Sequence, residues 1–103
     1  MSTGPGSAGF GAEHIPVPRE GVSGQRFGSD FIVLDAEGRT LRGLSGTAVR
    51  IWELCDGKRT ARIVAEQLTR EFDVTAEQAL ADTLRFLTDL ARLGLIDELQ
   101  EVR

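Results

Sequence analysis

The sequence predicts an α+β domain of winged helix-turn-helix-like architecture, with a three-stranded antiparallel sheet followed by three helices. Short apolar stretches broken by turn signals fill residues 22–44. Three stretches of helical periodicity, set off by capping residues and glycines, fill residues 45–94. The length of 103 residues allows one domain with a modest core and little room for a deep enzyme pocket.

The chain divides into a flexible N-terminal tail over 1–20, a folded domain over 21–98 and a short C-terminal tail over 99–103. The first eleven residues contain Gly4, Gly6, Gly9 and Gly11 and little that could be buried. Ile15-Pro16-Val17-Pro18 reads as an extended, polyproline-like piece, because each proline pushes its predecessor out of the helical region. A tail that folds back on the domain is the alternative. Val22–Phe27 is the first strand candidate, and Gly28-Ser29 a turn. Phe31-Ile32-Val33-Leu34 is a continuous apolar run, as expected of a strand covered on both faces. Asp35-Ala36-Glu37-Gly38 is a second turn. Arg39–Leu44, the third strand, is more polar. The apolar strand falls in the middle, with the other two at the edges.

Ser45 is placed to cap the first helix, where Ala48, Ile51, Trp52 and Cys55 recur at helical spacing. Trp52 reads as a core anchor and Gly57 as the left-handed stop. Thr60 caps the second helix, whose stripe is Ala61, Val64, Ala65, Leu68 and Phe72. Thr75-Ala76-Glu77-Gln78 is a capping-box pattern that opens the third. Its buried stripe is Leu80, Leu84, Leu87 and Ala91. Gly94 stops it, and Leu95-Ile96 can fold back onto it.

No arrangement of residues suggests catalysis. His14 is the only histidine and lies in the tail. Cys55, the only cysteine, sits at a helix C-terminus beside Asp56, where dipole and acid both disfavour a thiolate. It reads as a buried structural residue. No metal-ligand spacing and no phosphate-binding glycine loop is present, so no metal or cofactor is expected. No apolar run approaches the ~20 residues that cross a bilayer. The N-terminus lacks signal-peptide character, and a lone cysteine suits a reducing cytoplasm. A winged-helix DNA-binding regulator is the competing class, but its electrostatics are unfavourable. The net charge is −4. The third helical segment has Arg85 and Arg92 against Glu77, Asp82 and Asp89. The second has Arg62 and Arg70 against Glu66, Glu71 and Asp73. DNA affinity comes largely from neutralised phosphates, which need a basic face.

The stretch "GSDFIVLDAEGRTLRGLSGTAVRIWELCDGKRTARIVAEQLTREFDV", followed by "FLTDLARLGLIDE", resembles the PqqD family. Its fold is called the RiPP recognition element, after ribosomally made, post-translationally modified peptides. The resemblance rests on "LSGTA", "IWELCDGKRT" and the closing "FLTDLARLGLI", and covers about residues 22–98. It implies a non-enzymatic peptide chaperone that binds the leader segment of a precursor peptide. The second partner would be a peptide-modifying enzyme, such as a radical SAM enzyme or a leader peptidase and cyclase. Neither nucleic acid nor membrane is implied as a partner. The leader would add as a strand along Arg39, Thr40, Leu41, Arg42, Gly43 and Leu44. It would lie against Asp82, Arg85, Phe86, Asp89 and Leu93 of the third helix. Arg39, Arg42 and Arg85 could attract acidic leader residues. The residues fit such a use: an edge strand keeps unpaired backbone donors and acceptors. Phe86 and Leu93 fall off the expected core stripe, either as a groove wall or packed under the sheet.

Overall fold

The computed structural model of the chain describes residues 9–100. Its elements run β1 (His14–Pro18), β2 (Ser23–Phe27), β3 (Asp30–Leu34), β4 (Thr40–Leu44), α1 (Thr47–Leu54), α2 (Ala61–Glu71), α3 (Ala76–Arg92) and β5 (Ile96–Gln100). The expected meander is present: β2, β3 and β4 pair antiparallel in that order, so β2 and β4 are both edges. Only one face of the central strand is fully packed. Phe31 and Val33 are buried, whereas Ile32 and Leu34 are half-buried, the alternation of a sheet with one core side. Gly24, opposite Val33, lets that core close. A Cβ there would lie 2.6 Å from both the Phe31 ring and Trp52 Nε1. Trp52 itself is buried, as expected of an anchor.

Local chemistry starts the helices. Thr60 Oγ1 accepts the Ile63 N–H (3.2 Å) and Thr75 Oγ1 accepts the Gln78 N–H (3.1 Å). The capping box at Thr75 is only half formed, because the Gln78 side chain donates to Asp82 (2.8 Å). Ser45 does not cap α1. Gly46, at φ 60°, turns the chain into the helix with no side-chain cap. Gly57, at φ 79°, lies in the turn after the cap residue Cys55. Ala61, Val64, Ala65 and Leu68 are buried as expected, but Phe72 sits at the C-cap of α2 and is exposed. The buried line of α3 is Ala79, Thr83, Leu87 and Leu90. Leu80, Leu84 and Ala91 only flank it. Leu95 and Ile96 fold back into the core, with the Leu95 N–H donating to the Leu90 carbonyl (3.0 Å).

The largest departure from expectation is at the N-terminus. Residues 9–20 are part of the fold; the rest of the expected tail, 1–8, lies outside the described residues. Phe10 is buried, and its N–H donates to Thr88 Oγ1 (2.8 Å). The proline-bearing piece is β1, paired antiparallel with β5 from His14↔Gln100 to Pro18↔Ile96. Pro16 and Pro18 fall at alternate positions, so their missing donors share one side of the strand. Ile15 and Val17 keep theirs. Val17 and Arg19 sit against the loops after α1 and α3: Val17 lies by Gly57, and the Arg19 N–H donates to the Leu95 carbonyl (2.9 Å). Across the second sheet, His14 Nδ1 meets Glu98 Oε2 and Arg19 bonds Asp97 (3.0 Å). Arg62 bonds Glu13 (2.6 Å) and its N–H donates to the Ala12 carbonyl (2.9 Å), fastening the segment to α2. The supposed C-terminal tail is also structured at its start, since β5 runs to Gln100; 101–103 lie outside the described residues.

Candidate functional site

The β4 edge has three distinct parts. Arg39 precedes the strand instead of opening it. Asp35 ties it into the turn: the carboxylate accepts the Arg39 N–H (2.8 Å) and its Nε–H (2.7 Å), and Glu37 lies 3.6 Å from the guanidinium. The Arg39 N–H donation comes first among the causes that lower the Asp35 pKa below its ordinary value. Within the strand, Val33↔Arg42 and Leu34↔Thr40 are partners, which leaves Leu41 as an extra, exposed residue at a bulge. Arg42 and Leu44 share the core-side face with Phe31 and Val33. Leu44 is buried, so its side chain is closed to a peptide. Gly43 is exposed, and a Cβ placed there would meet nothing within 4 Å. The sheet face beside Gly43, on the side away from the core, is therefore uncovered, and β4 has no strand partner besides β3 among the described residues.

The structure brings α3 to this edge at one defined point. The Arg42 guanidinium carbon lies 5.9 Å from the centroid of the Phe86 ring. Phe86 is half-buried and packs on the core cluster while keeping part of the ring accessible. The two alternatives for Phe86 thus merge: one side of the ring supports the core and the other meets the strand. Asp82, Phe86, Asp89 and Leu93 follow at helical spacing and share one face. Arg85 is paired with Asp82 (3.4 Å), which also accepts from Gln78. Leu93 is the C-cap residue of α3 and is exposed, so it is not packed under the sheet.

Other reactive groups are occupied. Cys55 is buried and its thiol donates to the Ile51 carbonyl (3.1 Å). Burial, with Asp56 adding to it, pushes its pKa up to about 12. The described residues contain no cluster of metal ligands and no helix long and apolar enough to cross a membrane. A concavity of about 270 Å3 between α2 and α3 lies away from the β4 edge, and one of about 310 Å3 between the sheet and α1 touches β4 only at its last residue, Leu44. The candidate site is accordingly an edge with a wall, a shape that suits an extended chain better than a small molecule. The second sheet and the Arg42–Phe86 stack escaped the sequence reading. Only the prolines of β1 hinted at an extended strand.

Comparison with known proteins agrees with this architecture. The PqqD truncation of Methylobacterium extorquens PqqCD, a stand-alone RiPP recognition element solved by NMR, superimposes with a TM-score of 0.73. Identity is 27%, over 85% of this chain and 94% of that one. TbiB1 in complex with the TbiA(β) leader peptide gives a TM-score of 0.68 at 21% identity, over 79% of this chain and 94% of that one. Lasso peptide synthetase B1 complexed with the leader peptide gives 0.68 at 24%, over 80% and 96%. These last two share the fold. The PqqA binding protein of Bradyrhizobium diazoefficiens is 35% identical over 54 residues, 52% of this chain and 52% of that protein. The chain spans about half the length of this curated relative. Residues 30–96, well over half of the chain, match coenzyme PQQ synthesis protein D, and the chain belongs to the PqqD family.

Proposed function

We propose that the chain binds the leader segment of a ribosomal precursor peptide by strand addition and presents that peptide to a modifying enzyme. The observation that carries this is the free β4 edge, which pairs only with β3 and has Phe86 under Arg42 beside it. The added strand would pair with the backbone of Thr40–Leu44, and every second side chain would face Phe86. The relatives support the reading: one is a PqqA binding protein, and two that share the fold are bound to leader peptides. No chemistry falls to the chain itself; its one thiol is buried and held in the protonated form.

DNA binding is the weaker alternative. The acids of α2 and α3 are set against it, and Arg62 and Arg85 already face carboxylates.

A peptide-side test isolates the backbone contribution. Fluorescence anisotropy would compare a synthetic PqqA peptide, the ligand in the name of the Bradyrhizobium relative, with two versions N-methylated at alternate residues. Methylation removes donors from one side of the strand at a time. The proposal expects one phase to abolish binding and the other to be tolerated. Equal affinities for all three would exclude strand addition.

A further inference from the structure

We infer that the β4 site selects an acidic side chain, and that Arg42 is the residue that reads it. This rests on the strand-addition reading above and names the chemistry of its ligand. Among the described residues, six arginines have a carboxylate partner. Arg19, Arg39, Arg50, Arg59, Arg62 and Arg85 each pair with an aspartate or glutamate. Among the described residues, Arg42 pairs with no carboxylate and its side chain donates no hydrogen bond. Of the three cations at the candidate site, only Arg42 is available: Asp35 holds Arg39 and Asp82 holds Arg85.

The stack gives this availability a direction. The guanidinium carbon stands over the Phe86 ring, 5.9 Å from its centroid and within cation–π range, and the N–H groups are unused. A planar fork placed there can match a carboxylate bidentately. Because Arg42 is on the core-side face of an edge strand, its fork sits beside the lane that an added strand would occupy. Asp89, one helical turn after Phe86, has no cation partner among the described residues. An acid shifted along the wall toward Asp89 would meet a like charge. Attraction at Arg42 and repulsion at Asp89 together admit an acid in one register and penalise it in another.

The test uses the full chain and a displayed library of random twelve-residue linear peptides, selected in parallel on the wild type and on Arg42→Gln. The wild type should enrich one position for Asp or Glu. That preference should vanish on Arg42→Gln while the apolar positions persist. Anisotropy with the best peptide and its acid-to-amide counterpart should show a loss of roughly fivefold to tenfold for the wild type. The loss should be smaller for Arg42→Lys, which keeps the charge without the fork, and absent for Arg42→Gln. The comparison on the wild type alone stands even if Arg42→Gln folds poorly. Enriched peptides with no acidic position, or an acid preference unchanged in Arg42→Gln, would overturn the assignment while leaving strand addition intact. Enrichment of nothing by the wild type would overturn both.

Discussion

At Cys55 the local chemistry is settled by burial. A thiol whose pKa is pushed up to about 12 is protonated at every ordinary pH. Ellman's reagent at pH 8 should therefore leave the native protein unmodified and react once per chain in guanidinium chloride. Rapid reaction of the native protein would mean that the α1 end opens. Phe86 has a divided role, with part of its ring on the core and part under Arg42. Phe86→Ala should cost about 2 kcal/mol of stability, below the roughly 3–5 kcal/mol typical of a fully buried phenylalanine. Peptide affinity should fall further than that loss of folded population explains. Stability measured by urea, set beside the affinity of the folded fraction, separates the two. Complete unfolding would make the ring a core residue only. Arg39, Arg42 and Arg85 look alike in the sequence and differ in their neighbours. The turn places Asp35 on Arg39, the helix places Asp82 on Arg85, and only the tertiary fold gives Arg42 an aromatic ring.

Among the elements, β1 is the one whose role changes most once the structure is known. Phe10 and Pro16 are buried and β1 completes a sheet with β5, so this segment contributes to stability. Phe10→Ala should cost about 3 kcal/mol, enough to lower Tm by more than about 10 °C in a domain this small. A Tm within a degree or two of wild type would restore the flexible tail. Between α1 and α2, Arg50 donates to Glu71 through Nε (2.7 Å) and Nη2 (2.9 Å). Hydrogen bonding from Arg50, followed by that from Gln67, lowers the Glu71 pKa below its ordinary 4.5. The folded form then binds this proton less readily than the unfolded form. The resulting stability is present above pH 4.5 and is lost as the pH falls through the lowered value. Glu71→Gln should flatten the acid limb of urea stability measured between pH 6 and 3; an unchanged slope would assign that limb to other carboxylates. What was legible in the sequence was local. Thr60 and Thr75 cap their helices because a hydroxyl and an amide three residues apart need no tertiary help. The meander was legible from turns between adjacent strands. The β1–β5 pair was not, because its partners are some eighty residues apart and two prolines mask the strand. The line Ala79–Thr83 on α3 was missed because small and polar residues carry no hydrophobic signal, although there they admit close neighbours.

For the molecule as a whole, several strands keep an outer side: β1 and β5 pair only with each other, and β2 and β4 flank β3. Of these edges, β4 is the one whose arginine stands over an aromatic ring of α3. Its charge also bears on function. With acids on α2 and α3 and a net charge of −4, a gel shift with duplex DNA at physiological salt should show no complex at micromolar protein. A salt-sensitive submicromolar complex would reinstate the regulator. Recognition of an extended peptide demands little of the sequence beyond a free edge, which is why the fold was more legible than the ligand-contacting residues. Backbone pairing leaves few side-chain traces, and the side-chain device at the β4 edge, Arg42 over Phe86, exists only after folding. The most direct measurement is an NMR titration of the 15N-labelled chain with a leader peptide that binds it, followed by interstrand NOEs. The account predicts the largest amide shifts at residues 40–44 and on the α3 face of Phe86 and Asp89, with NOEs between leader protons and those of Thr40–Leu44. Shifts confined to α2 or to the β1–β5 sheet, with residues 40–44 unmoved, would contradict it.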